Sequence, residues 1–184
     1  MTAAVALIRA INVGGRNMIR MEALRAAHEG LGLVDVQTYV QSGNVVFRAQ
    51  PAAVKNLGRR IEDAIEKGHG FRPGVVVRTA EELRGAIALN PFAGRKRIEP
   101  AKLLVIFLIA EPDPAAAEKL RAIQDVPEEF HLIGRDLYIY FPNGQGRSKF
   151  PPLAEKTLKT PGTGRNWNTV TKLLEMAEAL EGQR

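Results

Sequence analysis

Ala3-Ala4-Val5-Ala6-Leu7-Ile8-Arg9-Ala10-Ile11 is the stretch on which the fold turns. It is apolar almost without a break, as a strand covered on both faces must be; a strand with one wet face alternates instead. Asn12-Val13-Gly14-Gly15-Arg16-Asn17 ends it with residues that tolerate positive φ. Met21, Leu24, Ala27, His28 and Leu31 then recur at three- and four-residue steps and predict a helix, closed by Gly30 and Gly32. Strands follow over Val34 to Val40 and Asn44 to Arg48, joined by the hairpin turn Gln41-Ser42-Gly43-Asn44. A second helix begins after Pro51, with Val54, Leu57, Ile61, Ala64 and Ile65 on its apolar face, and Val75 to Arg78 adds a strand. Residues 1–79 therefore read βαββαβ, the order of a ferredoxin-like plait.

A short helix over Ala80 to Ala88 and a polar loop through Arg97 lead to a second apolar run, Leu103-Leu104-Val105-Ile106-Phe107-Leu108-Ile109. Around it the pattern repeats: a helix over Pro114 to Ile123, then strands over Phe130 to Ile133 and Leu137 to Phe141 about Gly134-Arg135. An internal duplication at the level of structure accounts for this. Gly144 to Lys149 is a loop, a helix-like piece lies near Leu153 to Leu158, and Pro161-Gly162 is read as a turn before a terminal helix. That helix carries Trp167, Val170, Leu173, Leu174, Ala177 and Leu180 on one face, with Asn166 at its N-cap. The expected class is α+β: duplicated ferredoxin-like halves, residues 1–79 and 80–184, with antiparallel sheets and a C-terminal helix in the second half.

The 184 residues, 45% hydrophobic and 25% charged, suit one large globular domain or two small ones. With no cysteine, disulfides, thiolate nucleophiles, zinc ribbons and iron–sulfur clusters are excluded. No apolar run is long enough to span a bilayer and no basic region precedes the first strand, so a cytoplasmic protein without a membrane partner is expected. A net charge of +6 leans toward anionic partners. Between Pro142 and Lys172, the cations Arg147, Lys149, Lys156, Lys159, Arg165 and Lys172 face only Glu155, a local excess of +5. The plain alternative is a solvated, lysine-rich surface.

Arg9 interrupts an apolar run, and an unpaired buried guanidinium is expensive, so it must meet a carboxylate or point into a polar cleft at the strand end. Gly14-Gly15 is either a plain turn or a cradle of N–H groups for an anion, with Arg9, Asn12, Arg16 and Asn17 adding donors. It has neither the spacing of a dinucleotide fingerprint nor the Gly-Lys-Ser/Thr of a Walker loop. Gly144-Gln145-Gly146-Arg147-Ser148-Lys149 is a second donor-rich loop. The third, Thr163 to Thr169, places Arg165 and Asn166 at the start of the terminal helix, where free N–H groups attract anions. Trp167 shares the apolar stripe and is assigned to the core. Ser42 and Asn44 serve turn geometry first and a ligand second. His28, His69 and His131 lack metal-ligand spacing, so no metal and no cofactor is expected.

Taken together, Arg9-Ala10-Ile11-Asn12-Val13-Gly14-Gly15, Tyr39-Val40-Gln41-Ser42-Gly43-Asn44-Val45, Asn90-Pro91-Phe92, Ser148-Lys149 and Arg165-Asn166-Trp167-Asn168-Thr169 resemble a widespread bacterial family, the domain of unknown function DUF1697. The first motif of that family commonly reads Arg-Gly-Ile-Asn-Val-Gly-Gly and the last begins Thr-Thr-Arg. Ala10 and Gly164 depart from it, which puts in doubt a role for a hydroxyl at position 164. The resemblance implies a duplicated ferredoxin-like fold and brings no activity, substrate or cofactor with it.

Polar, glycine-rich, loop-borne motifs suggest a binding surface more than a packing signature. The leading expectation is a module for a phosphate-bearing ligand, a nucleotide or nucleic acid, held by Arg9, Asn12, Gly14, Gly15, Asn17, Ser42, Asn44, Ser148, Lys149, Arg165 and Asn166. One rival is an enzyme acting on a small anionic substrate, with Ser42 or Ser148 as nucleophile and Lys149 or Arg165 stabilising charge, although no base is evident for either serine. Another is a self-associating module that pairs exposed sheet edges, and the oligomeric state stays open.

Overall fold

The computed structural model describes residues 1–182. Strand β1 (Thr2–Ile8) is buried at every position from Ala3 to Ile8, as its unbroken apolar run requires. It pairs antiparallel with β3 (Asn44–Ala49) on one side and β4 (Val75–Thr79) on the other, and β2 (Val34–Tyr39) extends the sheet beyond β3. The order β2-β3-β1-β4 is that of a ferredoxin-like plait. Helix α1 (Met21–Glu29) contributes Leu24, and α3 (Leu57–His69) contributes Leu57, Ile61 and Ile65, to a core shared with Ala4, Ala6 and Ile8 of β1 and Val45 and Phe47 of β3. The alternation along β1 sends these residues to one face. The helix expected after Pro51 comes in two pieces, a short α2 (Pro51–Val54) and then α3, because Asn56 leaves helical dihedrals at φ −112° and ψ 11°.

After α4 (Ala80–Ala88) and a 3₁₀ turn over Pro100–Lys102, the second sheet repeats the first. Its strands are β5 (Leu103–Leu108), β6 (Glu129–Ile133), β7 (Asp136–Tyr140) and β8 (Gly162–Asn166), in the order β6-β7-β5-β8, all antiparallel. Helices α5 (Pro114–Arg121) and α6 (Phe150–Leu158) cover one face, where Leu120, Phe150, Ala154 and Leu158 meet Leu108, Leu137 and Ile139. The chain ends in α7 (Trp167–Glu181).

Strand β8 corrects the reading of Pro161-Gly162 as a turn that leads directly into the terminal helix. Gly162-Thr163-Gly164-Arg165-Asn166 has no apolar alternation; its strand form comes from pairing with β5, from Leu104 opposite Asn166 to Leu108 opposite Gly162. Its glycines permit that approach. A Cβ at Gly162 would lie 2.9 Å from the Ile106 and Leu108 side chains and from the Phe107 carbonyl. Each half is thus a full βαββαβ unit.

By contact the chain divides into two compact units, one of Met1–Gly85 with the chain from Lys172 onward, the other of Ala86–Thr171. The later turns of α7 go with the first unit, where Arg84 of α4 bonds the carboxylates of Glu178 at 3.0 Å and Glu181 at 3.3 Å. Among the described residues no helix is long and apolar enough to cross a membrane.

Candidate functional site

The chain leaves β1 at Arg9, which is exposed at the strand end and not inside the apolar strand as its sequence context suggested. The next residues turn repeatedly through left-handed conformations: Ala10 at φ 54°, Asn12 at 55°, Gly14 at 57°, Gly15 at 74° and Asn17 at 51°. The Asn12 N–H donates to the Asn17 carbonyl at 3.2 Å and the Arg16 N–H to the Val13 carbonyl at 3.0 Å. Residues 12–17 therefore form a miniature hairpin with Gly14-Gly15 at its tip, where a tight turn needs positive φ at both central positions. The turn reading of this pair describes its backbone.

Two asparagines brace the loop. Asn12 accepts the Ile19 N–H on Oδ1 at 2.8 Å and donates from Nδ2 to the carbonyls of Ile19 at 3.0 Å and Gln41 at 3.3 Å. Asn17 donates from Nδ2 to the Ala10 carbonyl at 3.1 Å. Asparagine tolerates left-handed backbone, whereas alanine there costs about 1–2 kcal/mol. Ala10 occupies the position where the family resemblance puts glycine.

Beside this loop lies a cavity of ≈ 340 Å³ lined by Asn12, Met18, Arg20, Met21, Glu22 and Gln41. Helix α1 starts there. Arg20 is its N-cap, in extended conformation, and among the described residues no side chain caps the first turn. The uncapped N–H groups and the positive end of the helix dipole favour negative charge. Glu22, the acidic residue of that turn, is drawn toward Arg25 at 3.6 Å. The Arg20 guanidinium adds a permanent cation, while Met18 and Met21 supply polarizable apolar walls. Such a site suits an anionic group carried on an apolar or planar body.

The β2–β3 turn borders the same loop. Asn44 is fully buried and donates from Nδ2 to the Tyr39 carbonyl at 3.1 Å and to Ser42 Oγ at 2.9 Å. The Gly43 carbonyl accepts the Ile8 N–H at 2.8 Å. Hydrogen bonds thus gather Asn12, Asn17, Ser42 and Asn44 about the end of β1, and Asn12 is the one of these four that lines the cavity.

Ser148, Lys149, Arg165 and Asn166 belong to the second unit. Ser148 Oγ donates to Glu128 at 2.5 Å and accepts the Phe150 N–H at 3.1 Å, at the start of α6. Glu128 is the potential base that the sequence did not disclose; it lies twenty residues earlier with no motif to connect it. Lys149 is exposed at the N-cap of α6. Arg165, expected at a helix start, sits on β8 opposite Val105 and donates to Thr163 Oγ1 and the Gly164 carbonyl, both at 2.8 Å. Burial pushes its guanidinium down to about 10. Asn166 caps α7 as expected, its Oδ1 accepting the Thr169 N–H at 2.9 Å. Trp167 is half-buried.

Sequence reasoning missed Arg20, Met18 and Met21. The signal was present in negative form, because α1 begins without a Ser, Thr, Asp or Asn to cap it.

The family model described as "Protein of unknown function (DUF1697)" matches residues 1–138. Among curated proteins, none matches the chain. A solved structure similar to it is that of conserved bacterial protein SP0830 from Streptococcus pneumoniae, with a TM-score of 0.71 at 22% identity, covering 97% of this chain and 99% of that one. At that identity the likeness establishes the fold.

Proposed function

The chain belongs to the DUF1697 family, which supplies a fold and no reaction, and we propose that it binds a phosphate-bearing ligand, a nucleotide, in the cavity where α1 begins. The observation that carries this reading is the uncapped first turn of α1 opening with Arg20 onto ≈ 340 Å³ of space walled by Met18 and Met21. The phosphate is assigned to the helix start and Arg20, and the base to the methionines. The braced hairpin of residues 12–17 keeps the cavity's edge ordered before the ligand arrives, which lowers the ordering cost of binding. The basic balance of the chain favours the same ligand class, and the absence of cysteine supports a cytoplasmic setting.

Thermal shift at low salt tests it, with nucleoside mono-, di- and triphosphates, the parent nucleosides and inorganic phosphate. Nucleotides raise the Tm more than nucleoside or phosphate alone, and Arg20→Ala removes most of that rise while leaving the unliganded Tm in place. No stabilisation by any phosphate compound at millimolar concentration rules the reading out.

A second reading rests on the 2.5 Å bond between Ser148 and Glu128. A carboxylate at that distance is placed to take the hydroxyl proton, which would make Ser148 a nucleophile toward a small anionic ester. A hydrolase and phosphatase screen checks this, followed by Ser148→Ala and Glu128→Gln. Activity that survives both substitutions excludes it, and the bond is then a brace for α6.

A further inference from the structure

We propose that the second unit holds a separate anion site between α5 and α6, for a small organic phosphate monoester with an apolar body. The proposal is independent of the nucleotide reading. A cavity of ≈ 560 Å³ lies between the two helices. Lys119 of α5 and Lys156 and Lys159 of α6 line it, and among the described residues none of the three forms an ion pair. Among the described residues Asp113 is the carboxylate on its wall, and it caps α5, accepting the Ala115 N–H at 2.9 Å.

Three cationic side chains lining one cavity favour a ligand that carries two negative charges. Lys156, in the last turn of α6, and Lys159, its C-cap, both line the cavity. Lys159 closes the helix in the left-handed conformation, φ 54°, a position where glycine is the strain-free choice. Ala116, Leu158 and Leu153 give the lining an apolar part, with Leu153 41% exposed. An exposed leucine set among unpaired cations matches a ligand that joins a dianionic head to an apolar body. The volume lies within the range of small-molecule sites, about 300–1,000 Å³. This assignment also gives the local +5 segment a structural use, since two of its six cations face this cavity.

The test is an amide NMR titration of the whole chain at low salt with phenyl phosphate, which carries the dianion and the apolar ring together. Inorganic phosphate, benzoate and benzyl alcohol supply the separate features. Phenyl phosphate shifts amides of residues 113–119 and 153–159 saturably, and more tightly than any control. The Lys156→Gln/Lys159→Gly variant, which removes two charges and relaxes the left-handed cap, binds at least about tenfold more weakly without loss of Tm. Amide shifts confined to residues 12–22, an absence of shifts in both helices, or equal affinity in the variant overturns the proposal.

Discussion

Asn12 and Ile19 are joined twice through a single carboxamide, Oδ1 accepting the Ile19 N–H at 2.8 Å and Nδ2 donating to the Ile19 carbonyl at 3.0 Å. This pair closes the base of the loop that leads from β1 to α1. Asn12→Ala removes both bonds, together with the one to the Gln41 carbonyl, and places a Cβ-bearing residue without a compensating side chain at φ 55°. We expect a loss of about 4–5 kcal/mol in urea unfolding, from three hydrogen bonds near 1 kcal/mol each and a left-handed penalty of about 1–2 kcal/mol. Asn12→Gly relieves the backbone strain alone and should fall between Asn12→Ala and the parent.

Ala10 offers the opposite experiment. At φ 54° it bears strain that glycine avoids, while glycine loses more chain entropy on folding. Ala10→Gly should leave the protein as stable or stabilise it by up to about 1 kcal/mol. A loss of stability on this substitution would show that the Ala10 methyl packs usefully.

Gly43 should tolerate no side chain. A Cβ there would stand 2.5 Å from the Ile8 carbonyl oxygen in a backbone at φ 75°, whereas a Cβ at Gly14 meets nothing within 4 Å. Gly43→Ala is expected to cost about 3 kcal/mol or more and Gly14→Ala about 1 kcal/mol, the second being strain alone. Parallel denaturation of the two variants checks the ranking.

His28 sets a pH limit. It is fully buried beside Phe47, its Nδ1–H donates to the Leu24 carbonyl at 2.7 Å, and its Nε2 has no partner among the described residues. Burial lowers its pKa below the ordinary 6.5. The unfolded chain then takes up a proton first as the pH falls. The stability due to neutral His28 is complete above about pH 6.5 and is lost below it, at up to about 1.4 kcal/mol per pH unit until the folded pKa is reached. Unfolding free energies at pH 7.5 and 5 should differ less in His28→Leu than in the parent. An equal difference would assign the acid sensitivity to other groups.

The fold was legible wherever apolar burial was local. The runs at Ala3 to Ile8 and Leu103 to Leu108 announced the central strands, and the helical stripes placed α1 and α3. Strand β8 was not legible, because Gly162-Thr163-Gly164-Arg165-Asn166 becomes a strand through pairing with β5 and close approach to Ile106 and Leu108, neither of which leaves a periodic trace. The return of α7 to the first unit is equally silent in sequence. At the candidate site, glycines and asparagines marked the loop after β1 but not its use, since Asn12, Asn17 and Asn44 spend their hydrogen bonds on backbone and neighbouring side chains. Arg20 and Met18 belong to no sequence motif, and it is the cavity at the start of α1 that gives them a common position.

The central claim is tested most directly by an amide NMR titration of the intact chain with a nucleoside monophosphate at low ionic strength. The account predicts saturable shifts centred on Asn12 and on Met18 through Glu22, with Gln41 following, all greatly reduced in Arg20→Ala and weakened by added salt. An absence of shifts at millimolar nucleotide, or saturable shifts that leave residues 12–22 unmoved, would contradict it.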